Sequence, residues 1–259
     1  MFPPPASHPF RRYVAIGDSF SEGVGDNMPG DRLRGWADFV AQGLAASTEE
    51  EFRYANLAIR GRKLGPILAE QLDEALALGP DIVSLNGGGN DIMRPHIEMA
   101  EIVDQLAAAA DRIAASGAHV LLLSGANPSR HLPLGRVMQR RGTEMSDAVK
   151  RLFPRPGAIY VDNFADESFH DVRFWSPDKL HLNARGHARI ASNVLNALDV
   201  PVPGEWEVAA EPDARAPRQP AVFYYRDHVL PWVGRRLTGR SSGDGRAPKL
   251  AELTLVQRG

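Results

Sequence analysis

A three-layer α/β sandwich around a parallel sheet is the fold this sequence predicts, and two observations carry it. Short apolar, β-branched runs alternate about five times with stretches whose apolar residues recur at helical spacing. Several of the apolar runs break off at turns rich in Gly, Asp, Asn or Ser, as strands do where they deliver the chain to a loop. Such alternation implies right-handed crossovers that cover both faces of one sheet.

The first strand is Tyr13 to Ile16, closed by Gly17, Asp18 and Ser19; residues 20–34 read as a loop. Trp36, Phe39, Val40 and Leu44 predict a helix over 35–47. Phe52 to Leu57 is the second strand, running into Asn56 to Arg62, and Leu64, Ile67, Leu68, Leu72 and Leu76 stripe the next helix. Pro80 introduces a third strand, Asp81 to Leu85, ending at Asn86 to Asp91. A helix over 98–115 stops at Gly117, His119 to Leu123 is the fourth strand, and a helix follows around 134–152. Ala158 to Val161 is a short fifth strand, and Asn183 to Leu198 the last helix of the main body. The expectation is therefore a flavodoxin-like sandwich with a five-stranded parallel sheet and its active edge at the strands' carboxyl ends.

Residues 1–200 form the main domain and 201–259 a different region. Five prolines between 201 and 220 read as a linker, and residues 222–238 as an amphipathic, partly basic helix packed on or extending from the domain. Gly239 to Pro248 reads as a mobile stretch.

Bulk properties narrow the function. Of the 259 residues 43% are hydrophobic and 24% charged, as in an ordinary globular protein, and the net charge of −2 argues against a chain devoted to nucleic acid or an anionic membrane. There is no cysteine, which removes disulfides, thiolate metal sites and a cysteine nucleophile. No apolar run approaches the roughly 18 residues that span a bilayer, and Met1 to Phe10 has no signal-peptide core, so the expected location is cytoplasmic, without stable membrane insertion.

The chemistry gathers at the loops after strands one, two and three, which supply Ser19, Gly61 and Asn90, and at Asp178 and His181 farther along. A serine hydroxyl is a poor nucleophile until a base takes its proton, a task suited to histidine. The three-residue separation of Asp178 and His181 can set the carboxylate against one imidazole nitrogen and leave the other for Ser19. The Asn90 amide and the backbone N–H groups of Ser19 and Gly61 are donors of the type an oxyanion requires, and glycine at 61 lets the main chain approach closely.

These blocks resemble those of the SGNH (GDSL-like) hydrolase superfamily of serine esterases and lipases. The first appears as Gly17-Asp18-Ser19-Phe20-Ser21, with phenylalanine in place of the family's leucine. The second contributes Gly61, the third is Gly88-Gly89-Asn90-Asp91, and the last is Asp178-Lys179-Leu180-His181. The resemblance covers residues 13 to about 197. It implies Ser19 as nucleophile, His181 as base with Asp178 as its partner, and Ser19, Gly61 and Asn90 as an oxyanion hole. A small-molecule ester substrate and no cofactor or metal go with that mechanism.

Acyl transfer to an alcohol or amine uses the same residues. A non-catalytic flavodoxin-like binding module is disfavoured, because Asp18, Glu22 and Asp26 would face a bound phosphate and the Asp178–His181 pair would have no task. Arg60 and Arg94 are candidate contacts for a charged ester, and Trp175, with Phe164, Phe169 and Phe174, for an acyl pocket between the loops at 125–133 and 163–177. Asp18 and Asp91 read as loop-holding carboxylates and His187 as a packing or surface histidine. No zinc-protease motif, phosphate-binding loop or Gly-X-Ser-X-Gly elbow is present, and oligomeric state is not encoded in any motif.

Overall fold

The structure is a computed structural model and describes residues 8–133, 135–204, 206 and 241–258. The helix expected over 222–238 and most of the linker before it lie outside these residues. Strands β1 (Arg12–Ile16), β4 (Arg53–Asn56), β5 (Ile82–Leu85), β6 (His119–Leu123), β7 (Ala158–Val161) and β8 (Leu250–Leu255) form one sheet. Its order is β7-β6-β5-β1-β4-β8. The first five are parallel in the order expected of a flavodoxin-like sheet, so the chain reverses direction across the sheet between β4, β1 and β5.

The sheet has six strands rather than five. β8 pairs antiparallel with β4, Tyr54 opposite Thr254, and Val256 N donates to Phe52 O. Its sequence, Leu-Ala-Glu-Leu-Thr-Leu, lies half in solvent at the sheet's edge. An edge strand buries too little to need a continuous apolar run, so its pattern is faint.

The strand residues alternate between two cores, as side chains two apart must. Tyr13, Ala15, Leu121 and Leu123 join Trp36, Phe39 and Leu44 of α2 (Trp36–Ala46) and Ile190 and Val194 of α8 (Ala184–Ala197). Val14, Ile16, Val83 and Val120 face the opposite layer. There they meet α3 (Leu64–Ile67), a π-helical turn over Leu68–Leu72, α4 (Asp73–Ala77), α6 (Met99–Ala115) and α7 (Gly135–Leu152).

The stretch 20–34, read as loop, holds the four-residue helix α1 (Ser19–Glu22) and the hairpin of β2 (Asn27–Met28) and β3 (Arg32–Leu33). Both are too short for a periodic signal. Helix α5 (Gly89–Ile92) is another single turn. Among the described residues no helix is long and apolar enough to cross a membrane.

Candidate functional site

The carboxyl ends of β1, β4 and β5 open onto a cleft that Ser19 lines. Asp18 is the N-cap of α1: its Oδ1 accepts from Phe20 N at 3.0 Å, and Ser19 is the first residue of the helix. The turn is held from below by Gln71, whose side chain accepts from Gly17 N at 2.8 Å and donates to Gly17 O at 3.0 Å. Gln71 is buried on the π-helical turn, in a stripe otherwise made of Leu64, Ile67 and Ala75. A lone amide on an apolar stripe is the signal that could have marked it in the sequence.

Asp178 and His181 sit in the loop before α8. Asn183 caps that helix by accepting from Gly186 N, and its amide donates to the carbonyls of Arg173 and Trp175, which fixes the loop on the helix. Asp178 Oδ1 accepts from Ser176 Oγ (2.7 Å) and from the amides of Leu180 and His181. Its Oδ2 takes the His181 Nδ1 hydrogen at 2.6 Å, and His181 Nε2 lies 3.1 Å from Ser19 Oγ. Burial alone would raise the Asp178 carboxyl, but hydrogen bonds and the charge partner at His181 outweigh it and hold the group well below the ordinary carboxylate range. An ionised Asp178 keeps the imidazole proton on Nδ1 and presents the Nε2 lone pair to the serine.

Gly61 and Asn90 lie beside Ser19 on the cleft wall. Gly61 has φ +75°, a left-handed conformation that favours glycine. The Ser19 amide opens a helix and so has no intrahelical acceptor, and the Gly61 amide has no protein acceptor among the described residues. The Asn90 amide differs: Nδ2 donates to Asp18 Oδ2 and to Arg62 O, both at 2.9 Å. Asp18 therefore orients Asn90 as well as capping the helix. Its carboxyl is pushed up to about 6, chiefly by burial against the lowering effect of the Phe20 amide.

Of the proposed substrate contacts, Arg94 and Trp175 line the cleft, but Arg60 does not. The Arg60 guanidinium is committed to Glu22, with Nε at 3.0 Å and Nη2 at 2.5 Å, and the Arg60 amide donates to the same carboxylate. A cation paired in this way locks the loop of Gly61 onto α1. Its neighbours Arg62 and Lys63 line the cleft instead.

The cleft has a volume of about 660 Å³. Parts of the 125–133 loop, together with Phe164 and Trp175, form walls as expected, whereas Phe169 is fully buried in the core. Helix α7 adds Val137, Met138 and Met145, a wall the sequence reading did not anticipate. His187 is buried between α8 and α2, accepting from Trp36 N and donating to Val24 O, and burial lowers it to about 3. Asp91 caps the amide of Leu64, and His170 with Asp171 borders a separate surface hollow. No group of His, Asp and Glu with metal-binding geometry occurs among the described residues.

The serine turn, the paired Asp178 and His181 and the flavodoxin-like sheet define the class, and comparison with known proteins names it. The sequence pattern of the GDSL-like Lipase/Acylhydrolase family matches residues 15–189, and the chain belongs to this family of ester hydrolases. A lipase from Streptomyces rimosus is 39% identical over 83 residues, which is 30% of this chain and 30% of the lipase. Among solved structures, the lipase Lip_vut3 from a goat rumen metagenome is similar, with a TM-score of 0.61 at 19% identity over 72% of this chain and 97% of its own. A catalytic mutant of Axe2, an acetylxylan esterase from Geobacillus stearothermophilus, gives 0.61 at 21% identity, covering 74% and 95%.

Proposed function

We propose that the protein hydrolyses carboxylic esters through an acyl-enzyme on Ser19. The observation that carries this reading is the unbroken relay from Ser19 Oγ through the His181 ring to the Asp178 carboxylate, at 3.1 and 2.6 Å. In the first half-reaction His181 Nε2 takes the serine proton as Oγ adds to the ester carbonyl, then returns that proton to the departing alcohol. In the second, water gives a proton to His181 and adds to the acyl carbon; the bond to Ser19 Oγ then breaks as His181 returns the proton to it, which releases the acid and restores free Ser19.

The amides of Ser19 and Gly61 supply two donors to the tetrahedral oxyanion. Asn90 supplies a third by sharing a hydrogen now aimed at Asp18 or the Arg62 carbonyl. The apolar wall of α7 and Phe164 takes the acyl chain.

The test is hydrolysis of p-nitrophenyl acetate, butyrate and octanoate by wild type and Ser19→Ala, with labelling by a fluorophosphonate. Turnover and label disappear together in the variant if Ser19 is the nucleophile. A folded Ser19→Ala protein that keeps either one overturns the assignment.

A further inference from the structure

Residues 241–244 return to the cleft from outside the part of the chain that the family pattern matches. They cross over the loop of Gly61 at a distance that leaves no room for a side chain at Gly61 or at Gly243. A Cβ on Gly61 would fall 2.4 Å from Ser241 Oγ, and one on Gly243 would fall 2.1 Å from Arg60 O. Both contacts are closer than any real carbon tolerates, so two glycines, 182 positions apart, permit one contact.

The turn is internally braced: Asp244 Oδ2 accepts from Ser241 N at 2.8 Å, and Arg246 Nε donates to Ser242 O at 3.2 Å. It is also anchored on the far side. Lys249 Nζ meets Asp38 Oδ2 at 2.6 Å and the Leu33 carbonyl at 3.2 Å, and β8 then pairs with β4.

This turn adds a polar wall to the cleft beside Gly61: Ser241, Ser242 and Asp244 with Arg62, in a cleft whose apolar lining residues include Ile92, Val137, Met138 and Phe164. This polar wall carries little net charge: Arg62 lies 3.0 Å from Glu70 and 3.9 Å from Asp244, and Lys63 in the same lining offsets the second carboxylate. A charged substrate arm would have to displace those partners, whereas hydroxyl groups can exchange hydrogen bonds with two serines and a carboxylate directly.

From this juxtaposition we propose that the Ser241–Asp244 turn is the specificity wall for the alcohol half of the ester, and that it selects a neutral polyhydroxylated alcohol. The assignment rests on Ser19 being the nucleophile of an ester hydrolase, since it divides the substrate at that atom.

Two substrate series test it. 1-Butyrylglycerol and butyl butyrate share an acyl group and differ in the alcohol; p-nitrophenyl acetate, butyrate and octanoate share an alcohol and differ in the acyl group. Wild type favours the glycerol ester by at least about tenfold in kcat/KM over the butyl ester, the scale of one or two hydrogen bonds. The Ser241→Ala/Ser242→Ala variant loses that preference mainly through KM, while the rank order of the nitrophenyl series stays as in wild type. Ser242→Trp, at an exposed position, loses more on the glycerol ester than on the butyl ester. A wild type indifferent to the alcohol overturns the proposal, as does a double variant that reshapes the acyl series and leaves the alcohol ratio unchanged. Absence of both turnover and fluorophosphonate labelling in folded wild type overturns the hydrolase reading itself.

Discussion

Asp18 occupies the position next to the proposed nucleophile and does three things there at once. It caps α1, accepts from Asn90 and carries a carboxyl that burial raises from 3.8 to about 6. Because the folded protein holds that proton more tightly than the unfolded chain, the contribution to stability is complete below about pH 4 and is lost as pH rises through about 6. Asp18→Asn is expected to remove that slope from a urea titration run at several pH values; an unchanged slope assigns it to another group. Asn90→Ala is expected to lower turnover by about 10²–10³ if its amide reaches the oxyanion. A loss below tenfold moves that role to the amides of Ser19 and Gly61. The identity and pairing of Ser19, Asp178 and His181 were legible because each requires a side-chain type at a short, fixed spacing or at a strand end. Whether Arg60 contacts substrate or holds its loop was not legible for a physical reason: its partner across the fold, Glu22, lies 38 positions away, and nothing local reveals the ion pair. Asn90 was legible as a donor, but not the two acceptors that already hold it.

At the scale of elements, the turn bearing Ser19 depends on a side chain from a different helix. Gln71 answers both the N–H and the C=O of Gly17 inside the core. Gln71→Ala leaves the buried Gly17 N–H without a partner, a loss of about 1–3 kcal/mol, and removes one of the two donors to Gly17 O, which keeps the amide of Ile59. A lowered urea midpoint with unchanged slope is expected, together with a fall in kcat larger than the change in KM, since the nucleophile is displaced and the cleft walls are not. An unchanged kcat would leave Gln71 a purely structural group. The helices and parallel strands were readable because each buries a full face, so the periodicities of Trp36 to Leu44 or His119 to Leu123 are strong. Helix α1, the β2–β3 hairpin and the π-helical turn were not, because their geometry is set by single caps and tertiary partners.

For the whole molecule, the principal departure from expectation is that the C-terminal region completes the sheet. Within the segment Gly239 to Pro248, read as mobile, residues 241–246 hold a braced turn, and β8 covers the open edge of β4. Ending the chain before Lys249 is expected to expose that edge and cause dimerisation or aggregation, seen as earlier elution in size-exclusion chromatography. A monomeric truncated protein with unaltered thermal stability would show the edge needs no cover. Sequence could not reveal this pairing, because β4 and β8 are separated by nearly 200 positions and only the fold brings Tyr54 opposite Thr254.

The placement of β8 also sets an order of events in synthesis. Every catalytic candidate, from Ser19 to His181, has left the ribosome well before residue 241 is made, so the cleft can form with one wall missing. During that interval β4 is a bare edge and Ser19 faces an unfiltered opening. On the proposed roles of Ser19 and the Ser241–Asp244 turn, a nascent chain would thus become reactive before it became selective, and chaperone contact at that edge would guard against both promiscuous acylation and misassembly.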